Sequence, residues 1–157
     1  MTKDLSQDFQ DLLRSLTGHD VEFLVVGAYA LAFHGVARYT EDLDIWIART
    51  EENAGKLREA LFDFGIQLSD DHVRQLLLER KFLRLGHAPN KIEILNFLDG
   101  CEFSTAVARR SMGELAGIAV PILGLEDYVL TKKASGRPKD GSDLALLKEA
   151  IGILPGE

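Results

Sequence analysis

Asp42 and Asp44 stand two positions apart in the stretch ARYTEDLDIWIAR, residues 37 to 49, and the apolar run Ile45-Trp46-Ile47 follows at once. In an extended strand, residues two apart project from the same face, roughly 7 Å from each other along the chain. Two carboxylates set that close repel each other, and burying them unpaired is costly. A divalent cation resolves the conflict. Mg²⁺ or Mn²⁺ takes carboxylate oxygens and leaves its other positions to water or to substrate phosphate. The pair therefore suggests a metal site that expects a phosphate. Solvated gatekeeper aspartates at a strand entrance share the same spelling, so the pair alone does not decide.

Three other stretches bear on that choice. In VVGAYALAFHG, residues 25 to 35, a strand ends at Gly27 and turns straight into a helix. Such a turn leaves backbone N–H groups free for a phosphate, and glycine removes the side chain that would block approach. A tight turn without a ligand reads the same way. Glu93 lies among Ile92, Ile94 and Leu95. It either completes an acid trio with Asp42 and Asp44 or faces water beside Lys91. Finally, Lys132, Lys133, Arg137 and Lys139 crowd the segment KKASGRPKD in a chain that is otherwise acidic. These cations suit a triphosphate, and equally suit a solvated helix end.

Those residues need a scaffold, and the periodicity predicts one. Residues 4 to 17 read as an amphipathic helix, with Leu5, Phe9, Leu12, Leu13 and Leu16 at spacings of three and four. Strands are expected over 22–26 and 42–48, with a helix between them that stops at Gly35. Helices are expected over 51–64 and from the Ser69-Asp70-Asp71 cap onward. KFLRLG and KIEILNFL read as a hairpin about the turn residues of HAPN. A short helix near 102–109, two brief strands about Ala116-Gly117 and a helix ended by Gly136 follow. A last helix starts at Asp140, with Asp140 as N-cap and Asp143 as its reciprocal partner. The expected class is α/β or α+β, with a mixed central sheet of four to five strands flanked by helices. A single domain is expected over residues 1–157, with its core at about 20–150.

Composition narrows the partners. The chain has 157 residues, 18 basic against 25 acidic, and a net charge of −7. That balance argues against a protein that coats nucleic acid with a broad basic surface. The lone cysteine, Cys101, excludes an intrachain disulfide and a multi-cysteine zinc site, and fits a reducing cytoplasm. FLVVGAYALAF is too short to span a bilayer, and the first residues read as an amphipathic helix rather than a leader. His34 reads as structural, Trp46 as core and Cys101 as a packed small residue.

Taken together, VVGAYALAFHG, RYTEDLDIWI, NKIEILN and PILGLEDYVLTKKASGRPKDGSDLALL occur in an order that resembles the DNA polymerase β-type nucleotidyltransferase superfamily. The finer pattern resembles minimal bacterial nucleotidyltransferases related to the AbiEii/MenT toxin group, over about residues 20 to 150. The resemblance implies the nucleotidyltransferase fold and a site. Asp42 and Asp44 match the metal-binding pair, and Glu93 stands where the family usually has a third acid, aspartate. Gly27 and Ala28 match the turn that holds the triphosphate, Arg38 and Thr40 belong to the string before the aspartates, Lys132 matches a phosphate-contacting lysine, and Asp140 an acid of the final motif. Ala28 stands where the superfamily often has glycine or serine. The implied activity is Mg²⁺- or Mn²⁺-dependent transfer of a nucleoside monophosphate from a nucleoside triphosphate to an acceptor hydroxyl on a small molecule, a protein or an RNA 3′ end. The competing expectation is a catalytically silent nucleotide-binding module or one component of a toxin–antitoxin pair, working with a partner chain.

Overall fold

The computed structural model describes residues 5–37, 39–78, 80–87 and 89–157. In chain order the elements are α1 (Gln7–Gly18), β1 (Phe23–Val26), α2 (Gly27–Phe33), β2 (Asp42–Ile47), α3 (Glu51–Phe64), α4 (Asp70–Leu78), β3 (Phe82–Leu85), β4 (Lys91–Leu95), α5 (Phe103–Ala108), β5 (Ser111–Leu115), β6 (Ile118–Ile122), α6 (Leu125–Ser135) and α7 (Pro138–Ile151). Among the described residues no helix is long and apolar enough to cross a membrane.

All the strands join one sheet, in the order β3-β4-β2-β1-β6-β5. β1 runs antiparallel to β2 and parallel to β6, β2 runs parallel to β4, and the β3–β4 and β5–β6 pairs are antiparallel hairpins. The sheet is mixed, as expected, but has six strands rather than four or five. The two brief strands about Ala116-Gly117 pair over their whole length from Ser111↔Ile122 to Leu115↔Ile118, and the Leu123 N–H donates to the Val25 carbonyl at 3.0 Å, which carries them into the main sheet.

Alternation along β2 separates its two faces. Leu43, Ile45 and Ile47 are buried on the side that packs with Ile92 and Ile94 of β4. Asp42, Asp44 and Trp46 share the opposite face, where the Trp46 ring meets Phe103 of α5 edge-on with centroids 5.1 Å apart. β1 is buried at all four positions, so both of its faces are covered, which is why it reads as a continuous apolar run. Leu12, Leu13 and Leu16 of α1 and Leu57 and Leu61 of α3 belong to the same core.

Helix starts differ from the sequence expectation in two places. α1 begins at Gln7, because the Ser6 hydroxyl accepts from the Phe9 N–H at 3.2 Å and caps the helix there. α7 begins at Pro138, with Arg137 as N-cap, so Asp140 is not the N-cap but the third helical residue. Proline at the first helical position has no N–H to leave unsatisfied and is already set to a helical φ. Asp140 then reaches back to accept from the Arg137 N–H at 3.2 Å.

Candidate active site

The site forms where β1, β2 and β4 lie side by side. Asp44 is paired across the sheet with Val26 on one flank and with Glu93 on the other. Partners in register share a face, so Asp42, Asp44 and Glu93 project from the same side of neighbouring strands.

Gly27 follows Val26 directly, with φ +69°. A β-carbon there would lie 2.9 Å from Asp44 Cγ and overlap the carboxylate. Glycine is thus required twice, for its backbone angle and for the space it cedes to Asp44. Ala28 sits in the first turn of α2, partly buried.

Asp44 is the most perturbed acid of the three. Burial, then the charges of Glu93 and Asp42, push its pKa up to about 7, and Lys139 and Lys132 pull in the other direction. Asp42 is half exposed and lies 3.5 Å from Lys91 Nζ. Glu93 accepts from Arg84 Nε at 3.0 Å across the β3–β4 hairpin, where the two residues are register partners. Among the described residues no three His, Cys, Asp or Glu side chains are gathered closely enough to enclose a metal as they stand. The donor chemistry nevertheless fits Mg²⁺ or Mn²⁺: hard carboxylate oxygens that repel one another, the central one raised in pKa by burial and by its two acidic neighbours.

α6 and α7 bring Lys132 and Lys139 within electrostatic reach of Asp44. Lys132 of α6 is mostly buried, with Nζ 3.1 Å from Asp140 Oδ1 and 3.4 Å from Asp143 Oδ2. Its ammonium also lies 5.3 Å from the Tyr128 ring centroid. Asp140 is fully buried. Burial by itself would raise its pKa, but hydrogen bonds from Ser135, Arg137 and Lys132 outweigh that and hold the carboxylate well below the usual range. Lys132 thus donates a hydrogen bond to Asp140 and forms an ion pair with Asp143. Lys139, at the second position of α7, is near enough to Asp44 to lower its pKa.

The other sequence candidates resolve unevenly. Thr40 is engaged by its own strand, its hydroxyl accepting from the Asp42 N–H at 3.0 Å. Arg38 lies outside the described residues. His34 has the structural part expected of it, with Nε2 2.8 Å from the Leu123 carbonyl. Three contacts were not foreseen: Arg84 on Glu93, Asp143 as a second acid on Lys132, and the buried ion pair between Asp127 and Arg109. The spacing of Asp140 and Asp143, three apart on the helix that follows the Lys132-Lys133 pair, is the signal that could have indicated the second. A cleft of about 380 Å³ lined by His19, Arg58, Phe62, Asp63 and Leu68 contains none of the site residues.

Neither a family model nor a curated protein sequence matches the chain. Solved structures do match it in fold. A candidate nucleotidyltransferase from Thermotoga maritima, TM1012, superposes with a TM-score of 0.58 at 21% identity, covering 87% of this chain and 88% of that one. ANT(2″)-Ia, solved in complex with adenylyl-2″-tobramycin, has a TM-score of 0.58 at 17% identity over 92% of this chain and 87% of its own. The lincosamide antibiotic adenylyltransferase LnuA, solved with lincomycin bound, has a TM-score of 0.61 at 14% identity over 96% of this chain and 100% of its own. The chain has the fold of these nucleotidyltransferases.

Proposed function

We propose that this protein is a metal-dependent nucleotidyltransferase that moves a nucleoside monophosphate from a nucleoside triphosphate to an acceptor hydroxyl. The observation that carries the reading is the placement of Asp44, in register with Glu93 on one side and against the bare Cα of Gly27 on the other. It is supported by the shared fold with two antibiotic adenylyltransferases.

Asp42 and Asp44 would hold Mg²⁺ or Mn²⁺, with Glu93 toward a second ion. The bound metal supplies charge neutralisation on the attacking and leaving oxygens around the α-phosphate. The chain's own residues do the rest. Gly27 leaves room for the Asp44 carboxylate at the turn that would face the triphosphate. Lys139 and Lys132 offset its negative charge. Glu93 accepts the proton of the acceptor hydroxyl as its oxygen bonds to the α-phosphorus, and the bond from that phosphorus to the departing pyrophosphate breaks in line. Asp140 and Asp143 hold Lys132 in place, a positioning role.

The test is incubation with each labelled nucleoside triphosphate, Mg²⁺ and a panel of acceptors that begins with tobramycin and lincomycin and extends to total RNA and cell extract. Transfer of label by the wild type, and its loss in Asp42→Asn/Asp44→Asn, is the expected result. No transfer, together with no thermal stabilisation by millimolar Mg²⁺-nucleotide, would overturn it in favour of a silent module or a toxin–antitoxin component.

A further inference from the structure

Glu93 does not face the two aspartates freely. Its Oε2 accepts from Arg84 Nε at 3.0 Å, and the guanidinium lies over the Phe82 ring, 5.5 Å from its centroid. Arg84 and Phe82 sit two apart on β3, in register with Glu93 and Leu95, so they extend the face that carries Asp42 and Asp44. Lys91 makes a parallel contact at the other end, 3.5 Å from Asp42. Two of the three acids are therefore each engaged by a cation from a neighbouring position of the sheet. Asp44, between them, is left to burial and like-charge repulsion.

We propose that Arg84 is a positioning residue that holds Glu93 out of the metal site until a cation displaces it. The inference rests on the metal-dependent reading above. The side chain of Arg84 is 76% exposed and that of Glu93 27%, and an ion pair so open to water is weak. Releasing Glu93 therefore lowers metal affinity by less than tenfold, which a divalent ion bound by the whole trio readily outweighs. The stack on Phe82 gives the displaced guanidinium a place to rest on the same face. The competing explanation is that Arg84 and Glu93 are only a cross-strand pair that fastens the β3–β4 hairpin.

A double-mutant cycle separates the two. Binding of Mn²⁺ alone is measured from the electron paramagnetic resonance signal of the free ion, for wild type, Arg84→Ala, Glu93→Gln and the double variant. Arg80→Ala serves as a charge control, since Arg80 is similarly exposed but paired with Asp99, outside the trio. Arg84→Ala should tighten Mn²⁺ binding about three- to fivefold, the reach of an exposed pair. Arg80→Ala should change it less than twofold. Adding Arg84→Ala to Glu93→Gln should change nothing, because the residue acts through the carboxylate. Equal tightening in both backgrounds would show through-space charge and overturn the proposal, as would no tightening with a lowered melting temperature. Clear Mn²⁺ binding unmoved by Arg84→Ala overturns the latch and leaves the metal reading standing. Absence of Mn²⁺ binding in every variant overturns both.

Discussion

Gly27 and Asp44 share one volume: the place a β-carbon would take on the first is filled by the carboxylate of the second. Gly27 opens α2 and Asp44 lies on β2, so their meeting ties the strand-to-helix turn to the central acid. Gly27→Ala therefore meets two penalties, the left-handed φ of +69° and the overlap. The first costs about 1 kcal/mol or somewhat more, and the overlap adds to it. A drop in melting temperature is expected, together with loss of nucleotide binding. Most of the overlap should disappear when Asp44→Ala is combined with Gly27→Ala, since that removes the carboxylate and leaves only the residue 44 β-carbon, 3.0 Å away. A double variant no more stable than Gly27→Ala alone would show that the turn and not the carboxylate sets the requirement.

Asp44 makes the apo protein sensitive to pH in a defined direction. Its folded pKa, about 7, lies above the ordinary aspartate value of 3.8. Between those values the folded state binds more protons than the unfolded chain. Its contribution is thus full below about pH 4 and is lost as pH rises through 7. The loss is about 4 kcal/mol at most, at 1.36 kcal/mol per pKa unit. Melting wild type and Asp44→Asn without metal from pH 4.5 to 8.5 should give curves that diverge upward in pH, the variant becoming the more stable. Parallel curves would count against burial and repulsion as the state of this carboxylate. Mg²⁺ with nucleotide should restore the wild type at high pH, since a cation removes the repulsion.

The two lysines near Asp44 should behave differently. Lys132 is enclosed by Asp140 and Asp143, both buried. Lys132→Met leaves two carboxylates without their shared cation, and breaking such a group costs about 3–5 kcal/mol. It should therefore unfold or strongly destabilise the protein, which makes it a poor probe of phosphate binding. Lys139→Ala should melt within a degree or two of wild type and weaken nucleotide binding several-fold. Equal effects of the two substitutions on stability would contradict the assignment of Lys132 as the pin between α6 and α7.

How far the sequence reaches can be judged from these same residues. The face shared by Asp42, Asp44 and Glu93 was legible, because strand parity is local and the flanking Ile45, Ile92 and Ile94 report which side is buried. The Gly27 turn was legible because a strand ending in glycine before a helical period has few other meanings. The hold of Arg84 on Glu93 was not. It depends on register across a hairpin, and register depends on how many residues the turn consumes. The place of Asp140 was misjudged by one turn although Pro138 was in plain view; proline at the first helical position moves the cap back to Arg137. That Asp143 lies under Lys132 requires the packing of α6 on α7, which no local spacing states.

The aspartate pair gives the sharpest test of chemistry against folding. Asp42→Asn/Asp44→Asn keeps the shape and removes two charges. If the pair holds the metal, transfer should fall by roughly a thousandfold or more, since several kcal/mol of transition-state stabilisation disappears at about 1.4 kcal/mol per tenfold. The apo protein should gain stability at the same time, because like charges no longer crowd the site. The two positions contribute unequally to that gain. Asp42 is half exposed and lies beside Lys91, so Asp42→Asn alone should be close to neutral, whereas Asp44→Asn should carry nearly all of the increase. Melts of both single variants and the double, each with and without Mg²⁺-nucleotide, read the two effects separately. A pair that served only as solvated gatekeepers would give the opposite pattern: unchanged nucleotide response in the double variant and a melting temperature that stays level or drops.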